Sequence, residues 1–157
     1  MFDICRLCHL RCSGHILAME GNLTTREQRI SFDKQVNYKG TAQVRIANLD
    51  FPHPFRQINR RIIERLKRDF EGEGCIRRTN RIPVVIDDTT LQAELQRLAI
   101  RPEDFRAGSS ENPPPLLLGA LKLEALHGQH RIRAAEEFLG APERWWIVDL
   151  FGPGRCP

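Results

Sequence analysis

A mixed α/β (α+β) domain, a small sheet with flanking helices, is the fold that the 157-residue sequence predicts. Three observations predict it. Apolar spacing switches repeatedly between a period of two and a period near 3.6 residues, and the order that results is strand, helix, strand, helix, loop, strand, helix, strand. The stretch Leu123–Leu139 passes from strand to helix through a single glycine. The last apolar run, Trp145–Phe151, reads as a buried strand. Hydrophobic residues at 41% suffice for a core, and 28% charged residues with no biased repeat do not suggest wholesale disorder.

Taken in order, residues 1–40 form an irregular Cys- and His-containing segment with no sustained period. Residues 41–49 alternate in part and predict a strand carrying Val44, Ile46 and Leu49. Two prolines then bracket His53 and force an extended lead-in over residues 51–56. Asn59 is placed to cap a helix running to about Phe70, with Ile58, Ile62, Leu66 and Phe70 stacked at four-residue spacing beside Ile63. Gly72 and Gly74 end it. Residues 82–86 predict a short buried strand. Thr90 is placed to cap a second helix with the stripe Leu91, Leu95, Leu98, which stops before Pro102. Residues 106–115 read as a loop, with Pro113–Pro115 a stiff spacer. Alternation over residues 121–127 predicts a strand, Gln129–Leu139 a helix closed by Gly140 and Pro142, and residues 145–151 the last strand. The expected domain spans residues 41–151, with an insertion at about 87–119 and a short tail at 152–157.

Formal net charge is +4, unevenly spread. Residues 56–81 hold nine Lys and Arg against four Asp and Glu, and residues 87–111 hold three against six. A basic segment of that kind suits a phosphate-bearing partner, or else is a solvated helix face. No run of about 18 apolar residues offers a membrane span, and the N-terminus lacks the apolar core of a secretory signal. An intracellular location, nuclear or cytoplasmic, is therefore expected, with no secretion and no membrane partner. Five cysteines, an odd number, argue against a disulfide framework in that setting. Cys5, Cys8, Cys12 and His15 are a candidate zinc set. They fall within eleven residues, with His9 competing and no distant second pair, so a thiol-bearing tail is favoured over zinc.

The turn at Gly128 carries the functional expectation. A glycine there lets a ligand approach the backbone. Residues 129–131 fill the first helical turn, whose amides lack intrahelical partners and attract anions with the help of the helix dipole. Gln129, His130, Arg131 and Arg133 add donors, and arginine binds phosphate bidentately. Ala134 and Ala135 allow close packing on the sheet. The competing reading is an ordinary strand–helix turn with surface arginines, in which His130 makes a structural hydrogen bond.

The run Gly128-Gln-His-Arg-Ile-Arg-Ala-Ala135 resembles the second signature box of the ParB N-terminal domain, Gly-Glu-Arg-Arg-x-x-Ala, and the Gly-Cys-His-Arg box of sulfiredoxin, which shares the fold. Residues 51–57, FPHPFRQ, resemble the first ParB box, and the helix, glycine and Ile82-Pro83-Val84 strand that follow are similar to its continuation. The wording around residues 126–150 also resembles uncharacterised fungal proteins in which such a module heads a longer chain. The resemblance implies a ParB/sulfiredoxin-like fold that binds nucleotide or nucleic-acid phosphate, with NTP hydrolysis or nuclease-like cleavage among the family's activities. It implies a nucleoside triphosphate with Mg²⁺ as cofactor. It assigns the phosphate contacts to Gly128, His130 and Arg131, with Gln129 in the box and Arg133 within reach. Arg56, Arg60, Arg61, Arg65 and Arg68 are the candidate nucleic-acid contacts. Gln129 stands where sulfiredoxin has its cysteine and ParB its glutamate. The sulfinic acid reaction is thereby removed and any step needing a carboxylate there is weakened. With the chain ending at Pro157, the partition machinery of ParB is not expected here. A non-catalytic interaction module, or a truncated remnant of a larger protein, is the alternative.

Overall fold

The computed structural model describes residues 35–52, 57–107 and 112–153. Five strands form one mixed sheet: β1 (Tyr38–Arg45), β2 (Leu49–Asp50), β3 (Ile82–Val85), β4 (Leu123–Ala125) and β5 (Trp145–Phe151). Their spatial order is β1-β5-β3-β4-β2. β1 and β5 are antiparallel, with Val44 opposite Trp146 and Ala42 opposite Val148. β5 and β3 run parallel, β3 and β4 antiparallel, and β4 and β2 parallel. The expected mixed α/β fold is thus the observed one.

Among the described residues the sheet is accompanied by α1 (Arg60–Glu73), α2 (Asp88–Leu98), α3 (Pro102–Ala107) and α4 (Gln129–Phe138). α1 and α4 supply Ile63, Phe70, Ile132, Ala134 and Ala135 to a core shared with Ile82, Val84, Trp146, Val148 and Leu150. Ala134 and Ala135 are fully buried, so the small side chains bring α4 close to its neighbours. The Phe70 ring lies 6.2 Å from that of Trp146, whose indole N–H donates to Asn80 O at 2.8 Å. A buried aliphatic or aromatic side chain of this kind contributes about 1.5–3 kcal/mol through removal from water.

Several local expectations change. The first strand starts three residues early, at Tyr38, and breaks after Arg45 into a 3-10 turn, Ile46–Asn48, before β2. Asn48 fixes that turn by donating to Gly119 O and Leu121 O at 2.9 and 2.7 Å. Ile58 precedes α1 and is exposed rather than stacked in it. The cap of α2 is Asp87, whose carboxylate accepts from the Thr90 amide at 2.8 Å and the Thr90 hydroxyl at 2.6 Å; Thr90 therefore sits inside the first turn. Pro102 does not merely stop α2: it opens α3, whose Phe105 is buried against Gly40. A Cβ at Gly40 would lie 2.4 Å from the Phe105 ring. Pro113–Pro115 is no free spacer. Gln43 N donates to Pro114 O and Leu116 N to Gln43 O, both at 2.9 Å, so this segment covers the outer edge of β1. The fourth strand is shorter than expected, three residues.

Candidate phosphate site

Two parallel strands place the site. β2 and β4 lie side by side in the same direction, so both end at one edge of the sheet. β2 leads to α1 and β4 leads to α4, so both helices begin at that edge. Their contacts keep them parallel. Asn59 N donates to His130 Nε2 at 2.9 Å at the start. Further along, Glu137 accepts from Arg60 at 2.5 Å and from Lys67 at 3.3 Å, and the Phe70 and Phe138 rings lie 5.8 Å apart. Two positive dipole ends therefore sit together.

The two ends are satisfied differently. The Asn59 side chain caps α1 by accepting from Arg61 N at 3.0 Å. The N-cap of α4 is a glycine, which has no side chain to cap it, and no described side chain is recorded accepting from its first-turn amides. Its N-cap, Gly128, has φ 99°, a left-handed conformation, and a Cβ there would meet Ile82 Cδ1 at 2.9 Å. Glycine is required at that position on both counts.

Arg131 is half-buried on this first turn and has neither a carboxylate nor a hydrogen-bond partner among the described residues. Burial alone pulls its pKa below the ordinary guanidinium value, with no counterion opposing the shift. Guanidinium remains charged in proteins, so the group holds a full positive charge where solvation is incomplete. His130 serves as the acceptor that ties the two helix starts together. Arg133 turns away to Glu136, at 2.9 Å. Gln129 is partly exposed and, with Asp50, Lys122 and Arg133, lines a cleft of about 410 Å³ beside the turn.

The basic helix is divided. Arg60 bridges Glu64 at 2.7 Å and Glu137 at 2.5 Å; Glu137 foremost raises its pKa, and Arg60, with Lys67, holds that of Glu137 below its ordinary value. Arg61, Arg65 and Arg68 form an exposed stripe without partners among the described residues. Arg56, Cys5, Cys8, Cys12 and His15 lie outside the described residues. Cys75, half-buried, has its thiol pKa pushed up by burial. Among the described residues no three His, Cys, Asp or Glu side chains are grouped to hold a metal, and no helix is long and apolar enough to cross a membrane. Sequence reasoning missed Lys122 as a wall of the cleft, because nothing in its local pattern marks it.

A five-stranded mixed sheet with flanking helices and an uncapped helix start at one end is the class that fold and site define. The profile of the N-terminal domain of a protein of unknown function, DUF3723, matches residues 37–154, and the chain belongs to this family. Among curated proteins none matches. Among solved structures, the C-terminally truncated chromosome-partitioning protein ParB from Caulobacter crescentus, crystallised with CTP-gamma-S, is similar at 15% identity and a TM-score of 0.42. That match covers 74% of this chain and 46% of that one, so this chain spans less than half its length.

Proposed function

We propose that the α4 start is a phosphate-binding site and that the domain is a ParB-like nucleotide-binding module. The observation that carries this is Arg131, a half-buried cation without a counterion among the described residues, on a helix turn whose N-cap is a glycine. Leaving such a charge unpaired costs stability, and an anion at the turn would offset that cost while meeting the free amides. The left-handed Gly128 lets the chain turn from β4 into α4 while packed directly on Ile82, which fixes the position of the turn. The resemblance of residues 128–135 to nucleotide-binding boxes supports a nucleoside phosphate, with Mg²⁺ as a companion of a triphosphate. Gln129 provides neither nucleophile nor base, so the role assigned is binding, and no hydrolytic step is attached to it.

A thermal-shift panel of CTP, ATP, ADP and a short DNA, each with and without Mg²⁺, tests this. At least one phosphate ligand at millimolar concentration is expected to raise the Tm of the wild type, and Arg131→Ala to lose the shift. No shift with any ligand, or an undiminished shift in Arg131→Ala, would overturn the proposal.

A further inference from the structure

A second cleft, of about 760 Å³, lies against the 3-10 turn Ile46–Asn48. Three loops wall it: that turn, residues 119–122 and residues 141–144. They are stitched together by Ile46 N to Arg144 O at 3.0 Å and by the Asn48 amide bonds to residues 119 and 121. Three cations stand around it: Arg45, the last residue of β1 just before the turn, and Lys122 and Arg144 from the two loops. Each head is held by a backbone carbonyl. Arg45 donates to Pro142 O at 3.2 Å, Arg144 to Leu139 O at 3.0 Å, and Lys122 to Ala47 O. None has a carboxylate partner among the described residues. The one acid in the wall, Glu136, is already paired with Arg133.

Elsewhere on the described surface Lys39, Arg60, Lys67, Arg97 and Arg101 face carboxylates, and the unpaired Arg61, Arg65 and Arg68 lie along one exposed helix face rather than around a cleft. Three oriented and unneutralised cations in one concavity make an anion site. The cleft is also continuous with the smaller one beside α4, since Ile46, Ala47, Lys122 and Glu136 line both. Gln129, Arg133 and Glu136 recur along one side of α4, and seven residues of helix span about 10 Å. The smaller cleft is of mixed charge, with Lys122 and Arg133 beside Asp50 and Glu136, and it leads from Gln129 at the α4 turn to the three cations of the larger one, a path longer than one nucleotide's phosphates require.

We infer that this groove takes the backbone of a single-stranded nucleic acid, running from the α4 turn towards Arg45 and Arg144. The inference rests on the phosphate role proposed for that turn and extends it to a polymer. A concavity between loops admits one strand, whereas a duplex presents its phosphates on a convex surface. No aromatic side chain lines the larger cleft. Base stacking is therefore not available there, and binding is electrostatic, strongly salt-dependent and indifferent to sequence.

Fluorescence anisotropy with a labelled twelve-residue oligothymidylate, titrated over a range of salt, tests the assignment. The triple variant Arg45→Ala/Lys122→Ala/Arg144→Ala is expected to bind at least tenfold more weakly. The slope of log affinity against log salt should flatten by about two, from roughly 0.7 per lost phosphate contact. Circular dichroism melts confirm that the variant folds, and Arg45→Lys/Arg144→Lys should retain most of the binding. A duplex of equal length should bind more weakly than the single strand. Unchanged affinity and slope in the triple variant would overturn the inference. So would loss of binding in Arg61→Ala/Arg65→Ala/Arg68→Ala instead, or equal affinity for duplex. If mononucleotides still raise the wild-type Tm while the oligonucleotide fails to bind, the groove falls and the α4 site stands.

Discussion

The α1–α4 seam and the end at which those helices begin are built from the same residue types and treat charge in opposite ways. Along the seam every cation is answered. Arg60 and Lys67 converge on Glu137, and Glu64 closes the group at 2.7 and 3.5 Å. A few ångströms away at the helix start, Arg131 is half-buried and unanswered. The seam needs nothing from outside to be complete. On the proposed function the end is completed by an anion, and that difference would separate an arginine that holds two helices together from one that meets a ligand.

The comparison can be broken at several points, beginning with the largest effect. Gly128→Ala forces a Cβ into a left-handed backbone and onto Ile82, and a destabilisation of about 1–3 kcal/mol is expected in urea melts. Ile82→Val removes the nearest contact atom, so the double variant should lose less than the sum of the singles. Strict additivity would show that the close approach does not matter.

His130→Ala removes the acceptor for the Asn59 amide and should cost about 1 kcal/mol. Hydrogen exchange should rise at the start of α1. Unchanged protection there would mean that the bond does not hold the two helix starts together.

Asp87→Ala should lower the Tm by loosening the start of α2, remote from the site, and leave any ligand-induced shift intact. Hydroxyl and amide donors from Thr89 and Thr90 hold the Asp87 carboxyl well below the usual range. A depressed folded-state pKa gives stability that is present above the unfolded value, about 3.9 for aspartate, and is lost as pH falls below it. The Tm gap between wild type and variant should therefore be full at pH 6 and narrow below about pH 4. A gap that widened in acid would contradict the bond pattern.

Glu137→Gln should have the smallest effect, because its pairs are solvent-exposed. The Tm loss should shrink further in high salt, and a loss that salt does not alter would mean that packing rather than charge joins the helices there.

Much of this was legible in the sequence, for reasons that are local. The helix at residues 60–73, its Asn59 cap and the strand Trp145–Phe151 follow from short-range spacing, and so does the strand–glycine–helix turn. What the sequence hid depends on distant partners. The parallel pairing of β2 with β4 brings Asn59 to His130 and so commits a predicted phosphate ligand to a structural bond. Arg60, read as one of a row of basic residues, is taken up by Glu137, 77 positions away. The edge position of residues 114–116 depends on Gln43, which no spacing rule connects to a proline run. The cations of the larger cleft come from the end of β1 and from two loops far from it in the chain. Conversely, the absence of a partner for Arg131 is a property only of the folded arrangement.

The central claim is that Arg131 is kept for a ligand at a cost to the fold, and one pair of measurements on Arg131→Met tests it directly. Methionine keeps much of the buried stem and removes the unpaired charge. The Tm of the ligand-free variant should equal or exceed that of the wild type, while the nucleotide-induced rise disappears. A variant that melts lower than wild type yet still responds fully to nucleotide would contradict the account, because Arg131 would then be part of the scaffold and the phosphate would have to bind elsewhere.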